Sequence, residues 1–313
     1  MIINNCLTFI DLFAGIGGFH LGLKKAGMKC VLACEIDEYA RKTYEYNHKV
    51  HSPEIFTSGN FIKDIRNINP KLILDFDILC AGFPCQPFSQ VGQKKGFKDK
   101  EDDRGNMFFE IIRIIQEKRP KVLFLENVRN IVNHDDGRTF KIIKDNVEKN
   151  GYSFNWKVIK ASDHGLPQHR PRIYMVCFRN DLNIVNFEFP SPRKLELTMS
   201  DIFGGNCNKE IGYTIRVGGK SSGLNDRRNW DTYLVNGKIK KITKEHGKMM
   251  LGFPEEFFFP VSETQAMKQL GNSVAVNSIY DISLKIKSAL ENKNKKCNHS
   301  NTIDNTFIYD IRL

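Results

Sequence analysis

Over roughly the first 180 residues, short apolar runs alternate with amphipathic stretches, a pattern that predicts a parallel β-sheet covered by helices. Strands are expected near LTFIDL (7–12), KCVLACE (29–35), FDILCAG (76–82), KVLFLEN (121–127), FNWKVIKA (154–161) and RIYMVCF (172–178). Between them, helices are expected over 18–26, 38–47, 106–118 and 139–149, and IIRIIQEK in the third has the spacing of an amphipathic face. From about Asn183 the periodicity gives way to short segments rich in Gly, Asn and Arg, such as RVGGKSSGLNDRRNWDTYLVNGK. That composition predicts a loop-heavy lobe of turns and short strands. Around Gln265 the pattern returns to a turn followed by a helix, within GNSVAVNSIYDISLKIKSAL. The polar last stretch, broken by TFIYDIRL, reads as a frayed tail or an added edge strand.

A chain of 313 residues with 41% hydrophobic content can bury one full α/β core and leave enough for a smaller lobe. No apolar run approaches the roughly 18 residues of a membrane span. The start, MIINNCLTFIDLFAG, lacks the basic residues and cleavage site of a signal peptide, so a cytoplasmic location is expected. The eight cysteines, Cys6, Cys30, Cys34, Cys80, Cys85, Cys177, Cys207 and Cys297, form no C-x-x-C pair and sit mostly in apolar segments. This is reduced core usage and not a disulfide or zinc framework. With 47 Lys and Arg against 36 Asp and Glu, the net charge of +11 suits a polyanionic partner. The lobe at 183–261 carries 12 Lys and Arg against 9 Asp and Glu, so the excess is spread along the chain, with a cluster at 285–296.

DLFAGIGGF follows the first strand and opens a helix, so its glycines let backbone amides approach a ligand at the carboxyl end of the sheet. A dinucleotide fingerprint requires Gly at positions 15, 17 and 20, but position 20 is His20, which disfavours a nicotinamide cofactor. The second strand ends in Glu35, about twenty residues on, where an acid accepts hydrogen bonds from ribose hydroxyls. Asp64, followed by Ile65, is either a third contact, to an adenine amino group, or a solvated surface acid.

FDILCAGFPCQPFSQVGQKKGFKD is the most informative stretch. A buried strand runs into Gly82-Phe83-Pro84 and delivers Cys85 to the carboxyl end of the sheet, with Pro84 and Pro87 fixing the backbone around one thiol. Cys80, inside the strand, reads as core filler. The polar stretch from Cys85 to Arg104 is long for a plain connection and suits a lid over substrate. Glu126, of Glu126-Asn127-Val128, ends the neighbouring strand beside Cys85; there it is either a general acid or a helix N-cap. QHRPRIY places Arg170 and Arg172 on one face at a strand start, where they can orient that acid and hold a base or phosphate.

In this order and near these spacings, DLFAGIGGF, GFPCQPFS, ENV, QHRPR and LGNSVAV resemble the DNA cytosine-5 methyltransferase family of bacterial restriction-modification systems. The resemblance covers nearly the whole chain, leaving only the 183–261 lobe and the tail unmatched. It implies an α/β fold: a discontinuous Rossmann-like S-adenosylmethionine-dependent domain (1–182 plus 262–292), a target-recognition domain (183–261) and a tail (293–313). It further implies that Cys85 attacks carbon 6 of cytosine while Glu126 protonates or hydrogen-bonds nitrogen 3, with Arg170 and Arg172 holding the base and the closed loop. Phe13 is then expected to stack on adenine, Glu35 to take the ribose, and Asp64 and Ile65 the adenine edge. Ala14, Gly15, Ile16, Gly18, Ile36 and Pro84 surround the cofactor, and Asn272 and Ser273 return to it from the far end of the chain. Gln86 and Ser89 beside the nucleophile, and Lys220, Arg227 and Arg228 in the lobe, are the expected DNA contacts, the last three being equally readable as solvated loop charges. The implied partners are double-stranded DNA, met by a monomer with no membrane, and functionally a cognate restriction endonuclease in a bacterial nucleoid.

One stretch departs from the family. Where T-P-R-E-x-x-R-L is usual before GFP, Thr243 is followed by Lys244-Glu245-His246-Gly247-Lys248-Met249-Met250, which puts the bracing of the recognition lobe in question. Three other readings stand beside the DNA enzyme. The same chemistry on transfer RNA is expected with a Cys-Phe-Thr motif, whereas the only Cys-Phe here, Cys177-Phe178, is a strand end. A non-catalytic nucleic-acid-binding protein has no need of Cys85, Glu126 and Arg170 together, and a dehydrogenase lacks its third glycine.

Overall fold

Each apolar run is too short for a helix and is bordered by turn formers, and in the computed structural model these runs become strands. The structure describes residues 6–84, 107–218 and 223–300, with side chains as far as 293. In chain order the elements are β1 (Thr8–Leu12), α1 (Gly18–Lys25), β2 (Lys29–Cys34), α2 (Glu38–His48), α3 (Pro53–Thr57), β3 (Phe61–Ile62), β4 (Ile78–Gly82), α4 (Met107–Lys118), β5 (Val122–Val128), α5 (Arg138–Lys149), β6 (Asn155–Lys160) and β7 (Pro171–Phe178). The lobe contributes α6 (Met199–Phe203), β8 (Thr232–Val235), β9 (Lys238–Lys241) and α7 (Lys244–Met250), and the chain returns through α8 (Glu263–Asn272) and α9 (Val276–Ser300).

Seven strands form one sheet in the order β3-β2-β1-β4-β5-β7-β6. The run from β3 to β5 is parallel, whereas β7 is antiparallel to both β5 and β6. The all-parallel expectation therefore fails at this edge, and the reason is connection length. A parallel return needs a crossover of a dozen or more residues, while β6 and β7 are joined by 161–170 with only a 3-10 turn, Ala161–Asp163.

Alternate strand residues supply two opposed cores. Phe9, Cys30, Ile78, Cys80, Phe124 and Val176 face α1 and α9, while Ile10, Leu32, Leu79, Leu123, Leu125 and Met175 face α4 and α5. Cys80 is completely buried in the first of these cores. A Cβ at Gly22 of α1 would come within 2.5 Å of Ile279 of α9, so the two ends of the chain pack helix to helix on one face of the sheet. A third cluster joins lobe residues such as Trp230, Tyr233, Met250 and Phe257 to Ile16, Ala40 and Leu166. The lobe thus completes its core with residues of the larger domain.

The turn expected near Gln265 is instead α8, whose Ala266, Met267 and Leu270 are buried at helical spacing and whose N-cap is Ser262. The turn comes after it, at Ser273. α9 continues through Ser300, past the expected boundary at 292, and the expected tail strand lies outside the described residues. The unusual stretch after Thr243 still forms a capped helix. Thr243 caps α7, and His246 takes the place of the usual acid by accepting the Thr243 N–H on Nδ1 at 3.0 Å. Lys248 is buried, with Nζ donating to the carbonyl of Glu255 (2.7 Å) and paired with Glu245 (2.7 Å).

Candidate active site

The sheet order reverses direction at β1, between β2 and β4, and an open α/β sheet forms its ligand crevice at the carboxyl ends around such a switch point. A cavity of about 390 Å³ lies there, lined by Phe13, Gly15, Glu35, Gly82, Pro84, Glu126, Arg172 and Asn272 among others. A shallower depression of about 520 Å³ on the outer side of α2, near Tyr46 and Val50, has no convergent polar groups; its lysines and glutamate are engaged in i,i+4 ion pairs along the helix.

One wall is the glycine turn. Phe13 (φ 55°) and Gly15 (φ 56°) are both left-handed, the first an unfavourable conformation for a bulky side chain that commonly marks a functional turn. Gly17 (φ 89°) is required for space as well, because a Cβ there would lie 2.1 Å from Nε2 of His48. That imidazole is within hydrogen-bonding distance of the Ile16 carbonyl (3.2 Å) and braces the turn from beneath. Burial pulls the His48 pKa down to about 4, so the ring is neutral at pH 7 and donates Nε2–H.

Glu35 leaves β2 and turns both carboxylate oxygens onto backbone amides, those of Gly15 (2.7 Å) and Asp37 (2.8 Å). Burial raises its pKa, opposed by those two amides. Each oxygen keeps a further lone pair for a hydroxyl donor, so the acid is already oriented for a diol.

The opposite wall carries the acid of β5. Glu126 pairs across the sheet with Gly82 of β4 and with Tyr174 of β7. Because β7 runs antiparallel, its first residues arrive at the carboxyl end of β5. Arg172, two residues before Tyr174 and so on the same face, places Nε 3.1 Å from Glu126 Oε1. Burial pushes the Glu126 carboxyl up, with Arg172 and then Arg170 opposing it. The net upward shift makes the carboxyl a weaker acid than an exposed glutamate, the direction that suits a proton donor. Asn127 donates from Nδ2 to the Phe83 carbonyl (2.8 Å), tying this strand end to the chain two residues before Cys85.

Of the residues singled out in the sequence, Phe13, Gly15, Ile16, Glu35, Ile36, Pro84, Glu126, Arg172 and Asn272 all line this one cavity. Others do not. Ile65 is buried in the core against α4, and Asp64 is held by Arg66 (2.6 Å), whose hydrogen bond lowers its pKa. Ala14 is buried, and its amide continues the sheet to the Cys34 carbonyl. Gly18 serves packing, since a Cβ would meet Val274 at 2.6 Å and Ser273 Oγ at 3.1 Å.

Arg170 differs most from expectation. The residue is 2% exposed, and its guanidinium donates to the carbonyls of Ile215 (3.3 Å), Gly271 (2.8 Å) and Ser273. It therefore clamps the loop-rich lobe and the end of α8 to β7, and of the two arginines Arg172 alone touches the acid. In the lobe, Arg228 is exposed but paired with Asp226 (3.1 Å), and Arg227 is exposed. Cys85, Gln86, Ser89 and Lys220 lie outside the described residues.

Asp37, Asn127, Lys268 and Gln269 also line the cavity, and sequence reasoning assigned them no role. Asp37 carried a usable signal, as the N-cap of α2 two residues after Glu35. Lys268 and Gln269 carry none, because the Gly271-Asn272 pair that ends their helix has the composition of a turn. Among the described residues, no group of three metal-ligating side chains converges and no helix is long and apolar enough to cross a membrane.

Comparison with known proteins agrees with this geometry. The family model for C-5 cytosine-specific DNA methylase matches residues 7–216 and 208–288. Type II methyltransferase M.HhaI of Haemophilus parahaemolyticus is 41% identical, the match covering 92% of this chain and 96% of the relative. Type II methyltransferase M.MspI of Moraxella is 37% identical over 94% of this chain and 73% of the relative. Among solved structures, a triple mutant of Spodoptera frugiperda DNMT2 superposes with a TM-score of 0.66 at 19% identity, covering 91% of this chain and 99% of that one. At that identity it shares the fold alone.

Proposed function

The chain belongs to the C-5 cytosine-specific DNA methylase family and is a DNA cytosine-5 methyltransferase, and from that premise we propose that it methylates a cytosine turned out of duplex DNA through a covalent bond to Cys85. The observation that carries the reading is the meeting, in one cavity, of a buried acid paired with an arginine and a glycine turn paired with an acid.

The residues present fit S-adenosylmethionine. Phe13 lines the cavity beside the turn, Glu35 has lone pairs free for ribose hydroxyls, and Ile36 and Asn272 form the flanking walls. When bound, the cofactor supplies the activated methyl group. The protein's own part begins with extrusion, because a ring stacked in the helix offers no free face to a nucleophile. The Cys85 thiolate bonds to carbon 6 while Glu126 donates its proton to nitrogen 3, so the ring's electrons move to carbon 5 instead of forming a ring anion. Arg172 holds the carboxyl in place and stabilises the carboxylate left behind. Carbon 5 accepts the methyl, its hydrogen leaves as a proton to solvent, and the sulfur–carbon bond breaks to restore the thiolate as the nitrogen 3 proton returns to the Glu126 carboxylate.

The likeness to type II enzymes at 37–41% identity supports duplex DNA as substrate and a role as the modification half of a restriction-modification system. A transfer RNA substrate gains no comparable support, since the likeness to DNMT2 is one of fold at 19% identity.

The test is an adduct assay. Duplex DNA with 5-fluorocytosine at a site mapped by bisulfite sequencing is expected to form a denaturation-resistant complex with the wild type plus cofactor, because fluorine cannot leave as a proton does. Cys85→Ser is expected to form none and to bind cofactor normally. A Cys85→Ser protein that still methylates DNA would sink the nucleophile assignment.

A further inference from the structure

The segment that enters the recognition lobe's core is fastened to the larger domain residue by residue. Gly212 exchanges backbone hydrogen bonds with Pro167 (2.9 Å) and His169 (2.8 Å). Ile215 donates its amide to the Gln168 side-chain oxygen (3.3 Å) and accepts from Arg170 (3.3 Å). The next two residues press on α8: a Cβ at Gly271 would lie 2.8 Å from the Arg216 carbonyl carbon and 2.9 Å from the Val217 nitrogen. Gly271 lines the cavity that contains Glu126 and Glu35. The backbone of Arg216 is thus fixed at the rim of the candidate active site, while its side chain is exposed.

Several other cations of the lobe are already engaged. Arg228 is paired with Asp226, Lys248 is buried against Glu245, and Lys209 lies 4.8 Å over the Tyr213 ring. Among the described residues, no carboxylate lies within ion-pair distance of Arg216. An exposed, always-charged fork of donors on a rigid rim is suited to a planar or tetrahedral oxyanion.

We infer that Arg216 clamps a backbone phosphate of the target strand next to the extruded cytosine. The inference rests on the DNA reading above and adds to it the group that receives the displaced backbone. Turning a nucleotide out of the duplex carries its sugar and flanking phosphates toward the mouth of the receiving cavity. A cation there neutralises one phosphate, releases its counterions and fixes register without reading sequence.

The experiment measures binding of short fluorescein-labelled duplexes, with and without the mapped methylation site, across a salt series. Arg216→Ala is expected to weaken binding of the duplex that carries the site about tenfold near 0.1 M salt and to reduce its slope of log K against log salt by about 0.9, with little change for the duplex without the site, where no nucleotide is turned out. Arg216→Lys should retain the slope, because the charge is kept. Cofactor affinity and melting temperature should match the wild type in both variants. An unchanged slope in Arg216→Ala on the duplex that carries the site, or an equal loss on the duplex without it, overturns the inference while leaving the methyltransferase reading intact. A wild type that neither binds nor methylates duplex DNA overturns both.

Discussion

Replacing Arg170 with methionine tests whether this arginine is a clamp between lobes or a group that acts on the base. The methylene stem is conserved by the change, so packing is largely kept and the loss is electrostatic. Two carbonyls with good hydrogen bonds, those of Gly271 and Ser273, lose a charged donor in a site that is 2% exposed, and the longer bond to Ile215 goes with them. Each buried carbonyl left unsatisfied costs about 1–3 kcal/mol. Against this, the folded protein no longer buries a guanidinium without a paired carboxylate, a relief that offsets part of the loss. Burial and the neighbouring Arg172 already pull the pKa of Arg170 down to about 9, still charged at pH 7. The net cost is about 3 kcal/mol, equivalent to a fall in Tm of roughly 6 °C at the 2 °C per kcal/mol expected for a large domain. Because Gly271 and Asn272 line the cavity, cofactor affinity should weaken in the same variant. Differential scanning fluorimetry and calorimetric titration measure the two effects. A Tm within about 1 °C of wild type, with unchanged cofactor affinity and lost turnover, refutes the clamp and returns Arg170 to the chemistry.

Glu126→Gln keeps the shape of the acid but removes its proton, so kcat should fall by about 10²–10⁴ in a single-turnover methylation assay while cofactor affinity stays at the wild-type value. The raised pKa of Glu126 gives a definite sign to the pH profile: the proton is present below that pKa and lost above it. Wild-type single-turnover rates should therefore fall on the alkaline side of the Glu126 pKa, and the residual rate of Glu126→Gln should lack that fall. For His48 the folded pKa of about 4 lies below the ordinary 6.5, so the neutral ring stabilises the fold above pH 6.5, and that stability is lost as pH falls toward 4. The gap corresponds to at most about 3 kcal/mol. Urea unfolding between pH 7 and 4 should show a decline that His48→Phe makes shallower, with the remainder due to the adjacent His20, which burial also holds neutral; an identical decline in the variant argues against His48 as its source.

Much of the larger domain was legible because its signals are local. Strand and helix periodicities are set by which faces meet a core, and six expected strands and four expected helices appear within a few residues of where the pattern puts them. The glycine turn with Glu35 and the pairing of β4 with β5 were also readable, since a parallel sheet aligns successive strand ends. Short elements escaped notice. β3 has two residues and α3 five, too few to show a period, and α8 ends in Gly271-Asn272, a pair that reads as a turn although Gly271 is there to admit the Arg216 backbone.

The divided labour of the two arginines could not be read from their spacing. Residues two apart at a strand start share a face only if both belong to the strand, and β7 begins at Pro171, between them. Arg172, inside the strand, is carried to Glu126 by the antiparallel register; Arg170, outside it, is free to turn toward carbonyls more than forty residues away in sequence. Composition, motif order and periodicity determined which groups the protein possesses and which end of the sheet they occupy, because those depend on the chain's local stereochemistry. Which group faces acid, lobe or solvent was decided only when distant segments packed, because burial and charge pairing are properties of neighbours in space.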